Sequence, residues 1–220
     1  NTEVAVVYAF EATGNAIVSA QFGVDNGIFV WLDGQYVFGA RAPYSATLGE
    51  YAMSCLGRER MFEYGSRKYG TPGRLVRLSY AIDMRYGVLF DVASAVFGGT
   101  PLDLTMGHAD VIWQGDANEQ SLRLLAHCTT PTSPINITGP GHTSIRWLAA
   151  EFGKRFGRKP VLTGQEAPTA WLEDTRESQR LFGKPRVPLD RMIDWVADWI
   201  ERGQPSLGKP THFSTRDGKY

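Results

Sequence analysis

Residues 135–160 read INITGPGHTSIRWLAAEFGKRFGRKP. Ile135 to Thr138 is a short, mostly apolar run that reads as a strand. Thr143 or Ser144 then suits a helix N-cap, because a side-chain oxygen there accepts a backbone N–H that the first turn leaves unpaired. Ile145, Leu148, Ala149, Phe152 and Phe156 recur every three or four residues, so they form one stripe of a helix that Gly157 ends. Val161-Leu162 follows as another short strand. Strand, amphipathic helix and strand in this order form the repeating unit of an α/β protein.

Working outward, the same alternation holds. Val111-Ile112-Trp113 is extended, and Ala117 to His127 is a helix expected to turn Leu122, Leu125 and Ala126 inward. Upstream, Leu75 to Ala81 is a strand, Gly87 to Phe97 a helix, and Gly98-Gly99-Thr100-Pro101 a turn. Leu48 to Tyr64 is a helix on which Tyr51, Cys55, Arg58 and Phe62 share a face. Gly27 to Leu32 (GIFVWL) is a continuous apolar run, the mark of a strand buried on both faces. A helix over 13–22, ended near Gly23, precedes it. Downstream, Leu189 to Arg202 is a helix with Met192, Ile193, Val196 and Ile200 inward, stopped by Gly203. A polar tail rich in Gly and Pro runs from Gln204 to Tyr220. The order predicts an α/β fold with a parallel sheet over 1–139 and a smaller, helix-rich α/β lobe over 140–220.

Composition narrows the function. The 220 residues carry 23 basic and 23 acidic side chains, so no basic stripe points to nucleic acid. The longest apolar run, Val4 to Phe10, is too short to span a bilayer. Cys55 and Cys128 lack a C-x-x-C partner, and His108, His127, His142 and His212 show no metal-ligand spacing; they read as surface or local hydrogen-bonding residues. A reducing cytoplasm, no metal and no membrane are the expectations.

Six stretches in order resemble one family. GIFVWLDGQYVFG (27–39) resembles its strand ending in serines and a V-Y-G turn, and GEYAMSCLGRERMFEY (49–64) the helix bearing its catalytic Tyr. RLVRLSYAIDMRYG (74–87) resembles the following strand and substrate loop, VIWQGDANEQSLRLLAH (111–127) its "hv-D-a" segment, residues 135–160 its "N-v-g-g" strand and helix, and PTAWLEDTRESQRLFGKPRVPLDRMIDWVADWI (168–200) its final segment. The family is the extended short-chain dehydrogenase/reductases, the NAD-dependent epimerase/dehydratase family. The resemblance implies a Rossmann-like parallel sheet flanked by helices with a small C-terminal α/β substrate lobe, and hydride transfer with NAD on a nucleotide sugar or similar polyol. NADP fits equally, because the residue that chooses between them would precede this chain.

Three departures stand out. The family's G-x-x-G-x-x-G phosphate loop does not occur before residue 27, so the first βα units are expected to be missing from this chain beginning at Asn1. The family's Tyr-x-x-x-Lys is here Tyr51-Ala52-Met53-Ser54-Cys55. A free phenol titrates at about 10, so activating it at neutral pH costs about 4 kcal/mol that a nearby cation normally lowers. Cys55 carries no positive charge; Arg58, one turn further, is the nearest cation on that face. The competing reading makes Tyr51 and Cys55 core or pocket-wall residues. The family's catalytic Ser or Thr falls on Gly34, with Asp33 or Gln35 as substitutes or merely as turn residues.

By resemblance, then, Tyr51, Cys55 and Gly34 occupy the catalytic positions. Leu32, Asp33, Gly34, Tyr51, Cys55, Ser79, Ala81 and Ile82 occupy the cofactor positions, and Gln35, Asp83, Arg85, Tyr86 and Trp171 the substrate positions. Asp116 matches a position that is mainly structural. The resemblance also implies a small-molecule substrate and a homodimer through the Tyr51 helix. The damaged catalytic set leaves open a non-catalytic ligand-binding relative, or a fragment without activity.

Overall fold

Residues 28–32, 35–40, 50–209 and 211–216 are described by a computed structural model, with side chains from residue 52 onward. The expected helix over 13–22 lies outside them, as do Asp33 and Gly34. The chain divides into two units, Asn1–Ser45 and Ala46–Tyr220, so the expected boundary near residue 139 falls inside the second.

In the first unit, β1 (Ile28–Leu32) and β2 (Gln35–Ala40) run antiparallel. IFVWL (28–32) is thus a strand, but one paired in a hairpin rather than in the expected parallel sheet. Ile28 faces Ala40, Leu32 faces Gln35, and the register shifts between Val30 and Trp31. The physical reason is local. Asp33-Gly34 separates the strands by two residues, and Asp-Gly is a dipeptide that tight hairpins favour.

The second unit begins with α1 (Glu50–Tyr69), followed by β3 (Arg74–Leu78), β4 (Ala81–Ile82) and α2 (Val88–Gly98). Three short strands come next: β5 (Leu102–Asp103), β6 (His108–Ala109) and β7 (Ile112–Trp113). Then come α3 (Gln114–Arg123) with a 3-10 turn over Leu124–His127, β8 (Ser133–Ile137), β9 (Thr143–Ser144), α4 (Ile145–Phe156) and β10 (Leu162–Thr163). Two helices close the order, α5 (Arg176–Phe182) and α6 (Leu189–Glu201). β3 pairs parallel with β8, β4 with β7, and β5 with β10; only β6 and β9 pair antiparallel among the described strands of this unit. Parallel neighbours need long crossovers, and the β4–β7 crossover is built around α2. This is the α/β architecture with parallel pairing that the alternation predicts.

The amphipathic helices behave as their spacing predicts. The hydroxyl of Ser144 caps α4 by accepting the Trp147 N–H at 3.2 Å, and Gly157 ends it at φ 61°. Ile145, Leu148, Ala149 and Phe152 are wholly buried on the stripe facing α2 and α6. On α6, Met192, Ile193 and Val196 meet them, and Val88, Leu89, Val92 and Val96 of α2 complete the cluster. Each large aliphatic side chain so buried contributes about 2–3 kcal/mol. A smaller cluster of Ile112, Ala117, Leu124, Ile135 and Ile137 joins α3 to β7 and β8.

Two expectations need correction. Leu122, Leu125 and Ala126 do not turn inward: Leu122 is 69% and Leu125 75% exposed. The buried face of α3 runs instead through Asp116, Ala117, Gln120 and then Leu124, and the tightening to a 3-10 turn carries Leu125 and Ala126 outward. The segment after Gly203 is more than a polar tail. Phe213 enters the main core, Thr211 donates to the Asp91 carboxylate on α2, and Arg216 Nη1 donates to Thr169 O at 2.8 Å. No helix among the described residues is long and apolar enough to cross a membrane.

Phe152→Ala empties a fully buried site between α4, α2 and α6, so it is expected to lower unfolding free energy by about 3–5 kcal/mol. Trp147→Ala, on the exposed side of α4, should cost far less. Urea titration of both variants checks this; equal losses would contradict the assignment of faces.

Candidate active site

Tyr51 lies in the first turn of α1, and its side chain is outside those described. Cys55, one turn on, is a half-buried free thiol. Arg58 donates from Nη2 to Cys55 Sγ at 3.7 Å, so its guanidinium stands beside the thiol. Farther along the same helix, Glu59 accepts two hydrogen bonds from Arg77 on β3, at 2.8 and 2.7 Å. This bidentate pair ties α1 to β3, whose carboxyl end leads into Ser79 and then β4.

At that end, Ser79 donates its N–H to Ile137 O at 3.2 Å, extending the β3–β8 pairing by one residue. Tyr80 has φ 30°, a backbone conformation that non-glycine residues adopt rarely. Ser79 and Ala81 are half-buried, whereas Ile82 is wholly buried in the main core and presents no side-chain surface. The Arg85 guanidinium is occupied: it donates to both oxygens of Asp83 at 2.9 and 3.0 Å, and its N–H adds a third bond at 2.8 Å. Asp83 and Tyr86 close the loop by exchanging backbone hydrogen bonds of 3.1 and 3.2 Å. Trp171 is 40% exposed and donates Nε1–H to Thr215 O at 3.3 Å. Asp116 accepts the Val187 N–H at 2.8 Å, a tie between α3 and the approach to α6. Leu32 and Gln35 belong to β1 and β2, with side chains outside those described, and Gly34 and Asp33 lie outside the described residues altogether.

The structure also brings together residues that the sequence reading did not join. The antiparallel register of β6 with β9 sets His108 opposite Ser144 and Ala109 opposite Thr143. One step further, Asp110 meets His142, with Asp110 Oδ1 and His142 Nδ1 2.7 Å apart. The Asp110 side chain is 1% exposed and its other oxygen accepts the Glu173 N–H at 2.6 Å. A carboxylate so buried is tolerated because both oxygens are paired. The Glu173 carboxyl is pushed up by its own burial and then by the Asp110 charge.

His142 lines a cavity of about 620 Å³ between Val111 and Ile112, where β7 begins, and the 139–144 segment that follows β8. Its walls include Trp147, Val187, Leu189 and Met192, and Lys184 stands among them. Gly139 makes this approach: a Cβ there would sit 2.1 Å from the Val111 carbonyl oxygen. Among the described residues no group of three His, Cys, Asp or Glu side chains could hold a metal ion.

No family model matches the sequence, and no curated protein matches it. Solved structures do. UDP-glucuronic acid 4-epimerase of Bacillus cereus, in complex with UDP-glucuronic acid and NAD, superposes with a TM-score of 0.59 at 17% identity, over 70% of this chain and 53% of that one. UDP-glucose 4-epimerase of Thermotoga maritima, with UDP-glucose, gives 0.56 at 16% identity, over 70% and 54%. The Thermus thermophilus UDP-glucose 4-epimerase complex with NAD gives the same score, identity and coverage. The chain therefore spans about half the length of the structures it matches, and over that span it has the fold that the resemblance implies.

The Arg77 guanidinium holds the Glu59 carboxyl below its ordinary value of 4.5. A lowered folded-state value means that this pair adds stability above the unfolded value and loses it as pH falls through the folded one. Glu59→Gln is expected to flatten the acid limb of stability below about pH 4.5, read by urea midpoints from pH 7 to 3; an unchanged slope would contradict it. Gly139→Ala should destabilise by about 1–3 kcal/mol, and a neutral result would show that the Val111 contact is not tight.

Proposed function

We propose that this chain is the substrate-side half of an NAD(P)-dependent epimerase, dehydratase or related oxidoreductase that acts on a sugar-like or polyol substrate by hydride transfer. The observation that carries the reading is the superposition of 70% of the chain on UDP-sugar 4-epimerases, with Tyr51 in the first turn of α1 and a cation next to Cys55. NAD is the cofactor of this reading, since matching structures are NAD complexes. The residues present suit only the nicotinamide and ribose end: half-buried Ser79 stands just past the carboxyl end of β3, where such sheets bind dinucleotides, and half-buried Ala81 follows it at the start of β4. The sequence holds no glycine-rich loop for the pyrophosphate. When bound, the nicotinamide accepts or returns a hydride.

The chain's own residues handle the proton and the positioning. Tyr51 takes a proton from a substrate hydroxyl, or returns it, at the phenolic oxygen. Deprotonating a free phenol at neutral pH costs about 4 kcal/mol. Exposed Arg58 recovers about 1 kcal/mol or less, as water screens a charge on an open helix face. Turnover is therefore slower than with a Lys at position 55. Gly34 offers no hydroxyl to the substrate oxygen, so Asp33 or Gln35 takes that place, and Asp83, Tyr86 and Trp171 flank the substrate. The reading includes a dimer through α1, whose Met61, Phe62, Tyr64 and Tyr69 are 49–70% exposed, and a cytoplasmic setting that suits the free thiols Cys55 and Cys128.

A second reading, a non-catalytic relative that binds a dinucleotide or sugar ligand, is favoured by the loss of both the Lys and the Ser. Fluorescence titration with NAD, then hydride transfer with a panel of UDP-sugars, separates the two. Binding with turnover that falls at least tenfold in Tyr51→Phe and rises in Cys55→Lys supports the enzyme. Binding without turnover supports the relative. Equal rates in wild type and Tyr51→Phe would remove Tyr51 from the chemistry, and absence of NAD binding by the complete protein would overturn both.

A further inference from the structure

The cavity beside His142 is built in a way that the dinucleotide reading does not use. Asp110 fixes the imidazole through Nδ1, so in the neutral ring the proton stays on that nitrogen and Nε2 is left as an acceptor. Nε2 makes no hydrogen bond among the described residues, and the ring is 55% exposed. Ser144 does not complete a triad: its hydroxyl caps α4, and no hydrogen bond joins it to His142. Lys184 is the one charged residue lining the cavity, and it forms no ion pair among the described residues. The remaining walls are mostly apolar, with Thr143 and Ser144 the other polar residues, and Trp147, 42% exposed, is among them. About 620 Å³ is the size of a small-molecule site.

We propose that this cavity is a second ligand site, independent of the Tyr51 chemistry, for a small aromatic carboxylate that bears a hydroxyl. The hydroxyl donates to His142 Nε2, the ring lies against Trp147 and Met192, and the carboxylate meets Lys184. Asp110 is a positioning residue, because it acts by holding the imidazole. Each wall selects one feature of the ligand. The unprotonated Nε2 of the neutral ring favours a donor, the exposed Lys184 ammonium favours an anion, and the mostly apolar lining disfavours a fully hydrated body.

The test uses three probes on the whole chain: 4-hydroxyphenylacetate, phenylacetate and 4-methylphenol, titrated by calorimetry. The hydroxy acid is expected to bind about tenfold tighter than either probe that lacks one group, the effect of one hydrogen bond or one ion pair. His142→Leu should equalise the hydroxy acid with phenylacetate while leaving phenylacetate affinity unchanged. Lys184→Met should equalise the hydroxy acid with 4-methylphenol. In the wild-type protein, the His142 ring resonance should shift with the hydroxy acid and not with phenylacetate, a readout that needs no variant to fold. Equal affinities of the three probes, a hydroxyl preference that survives in His142→Leu, a silent His142 resonance, or no binding of any probe would overturn the proposal.

Discussion

Arg74 to Leu78 lies parallel to Ser133 to Ile137, residue against residue, across a separation of about sixty positions. A parallel pair cannot be closed by a turn, so everything between the two strands must fold into a crossover that returns to the same edge. That requirement puts α2, α3 and four short strands within the crossover, and it sets Ser79 beside the end of β8. It also launches the Gly139–Gly141 turn from the same rim. Side chains hold the pair from its outer ends. Arg74 donates to Ser133 Oγ at 2.7 Å and to the Glu177 carboxylate on α5, while Arg77 reaches Glu59 on α1. A slip of one residue would turn Leu75 and Ile135 out of the interior and Arg74 away from both partners.

The helices were legible because their chemistry is local. In α4 and α6 a stripe of apolar residues, a capping Ser144 and a stopping Gly157 or Gly203 lie within one segment, and the structure keeps them within a residue or two. The strands were less so. Several pair over only two residues, too few for alternation to register, and β1 reads the same whether its neighbour is parallel or antiparallel. α5 went unread because its seven residues carry a single buried side chain, Ser178. α3 misled for another reason: its polar residues Asp116 and Gln120 are buried while Leu122 is not, so hydrophobicity alone gives the wrong phase.

For the site, a resemblance nominates Tyr51, Ser79 and Ala81, yet no rule of spacing could pair Asp110 with His142. They are 32 positions apart and meet only through the β6–β9 register. A signal did exist in Gly139, where any larger residue would clash with the Val111 carbonyl. Read alone, that glycine is one among 24. Arg85 illustrates the converse: it has the right chemistry for an anion, but Asp83, two residues away, already holds it.

Phe213 completes the main core from a stretch with no helix or strand of its own, pinned by Thr211 to Asp91 and by Arg216 to Thr169. A nick in the exposed run 204–209 would therefore not shed a dispensable appendage. It would turn an intramolecular plug into a peptide held only by its own affinity, so dilution would begin to act on the stability of the whole unit. Protein handled at low concentration after such a cut would lose its packing with time, whereas intact chain at the same dilution would not.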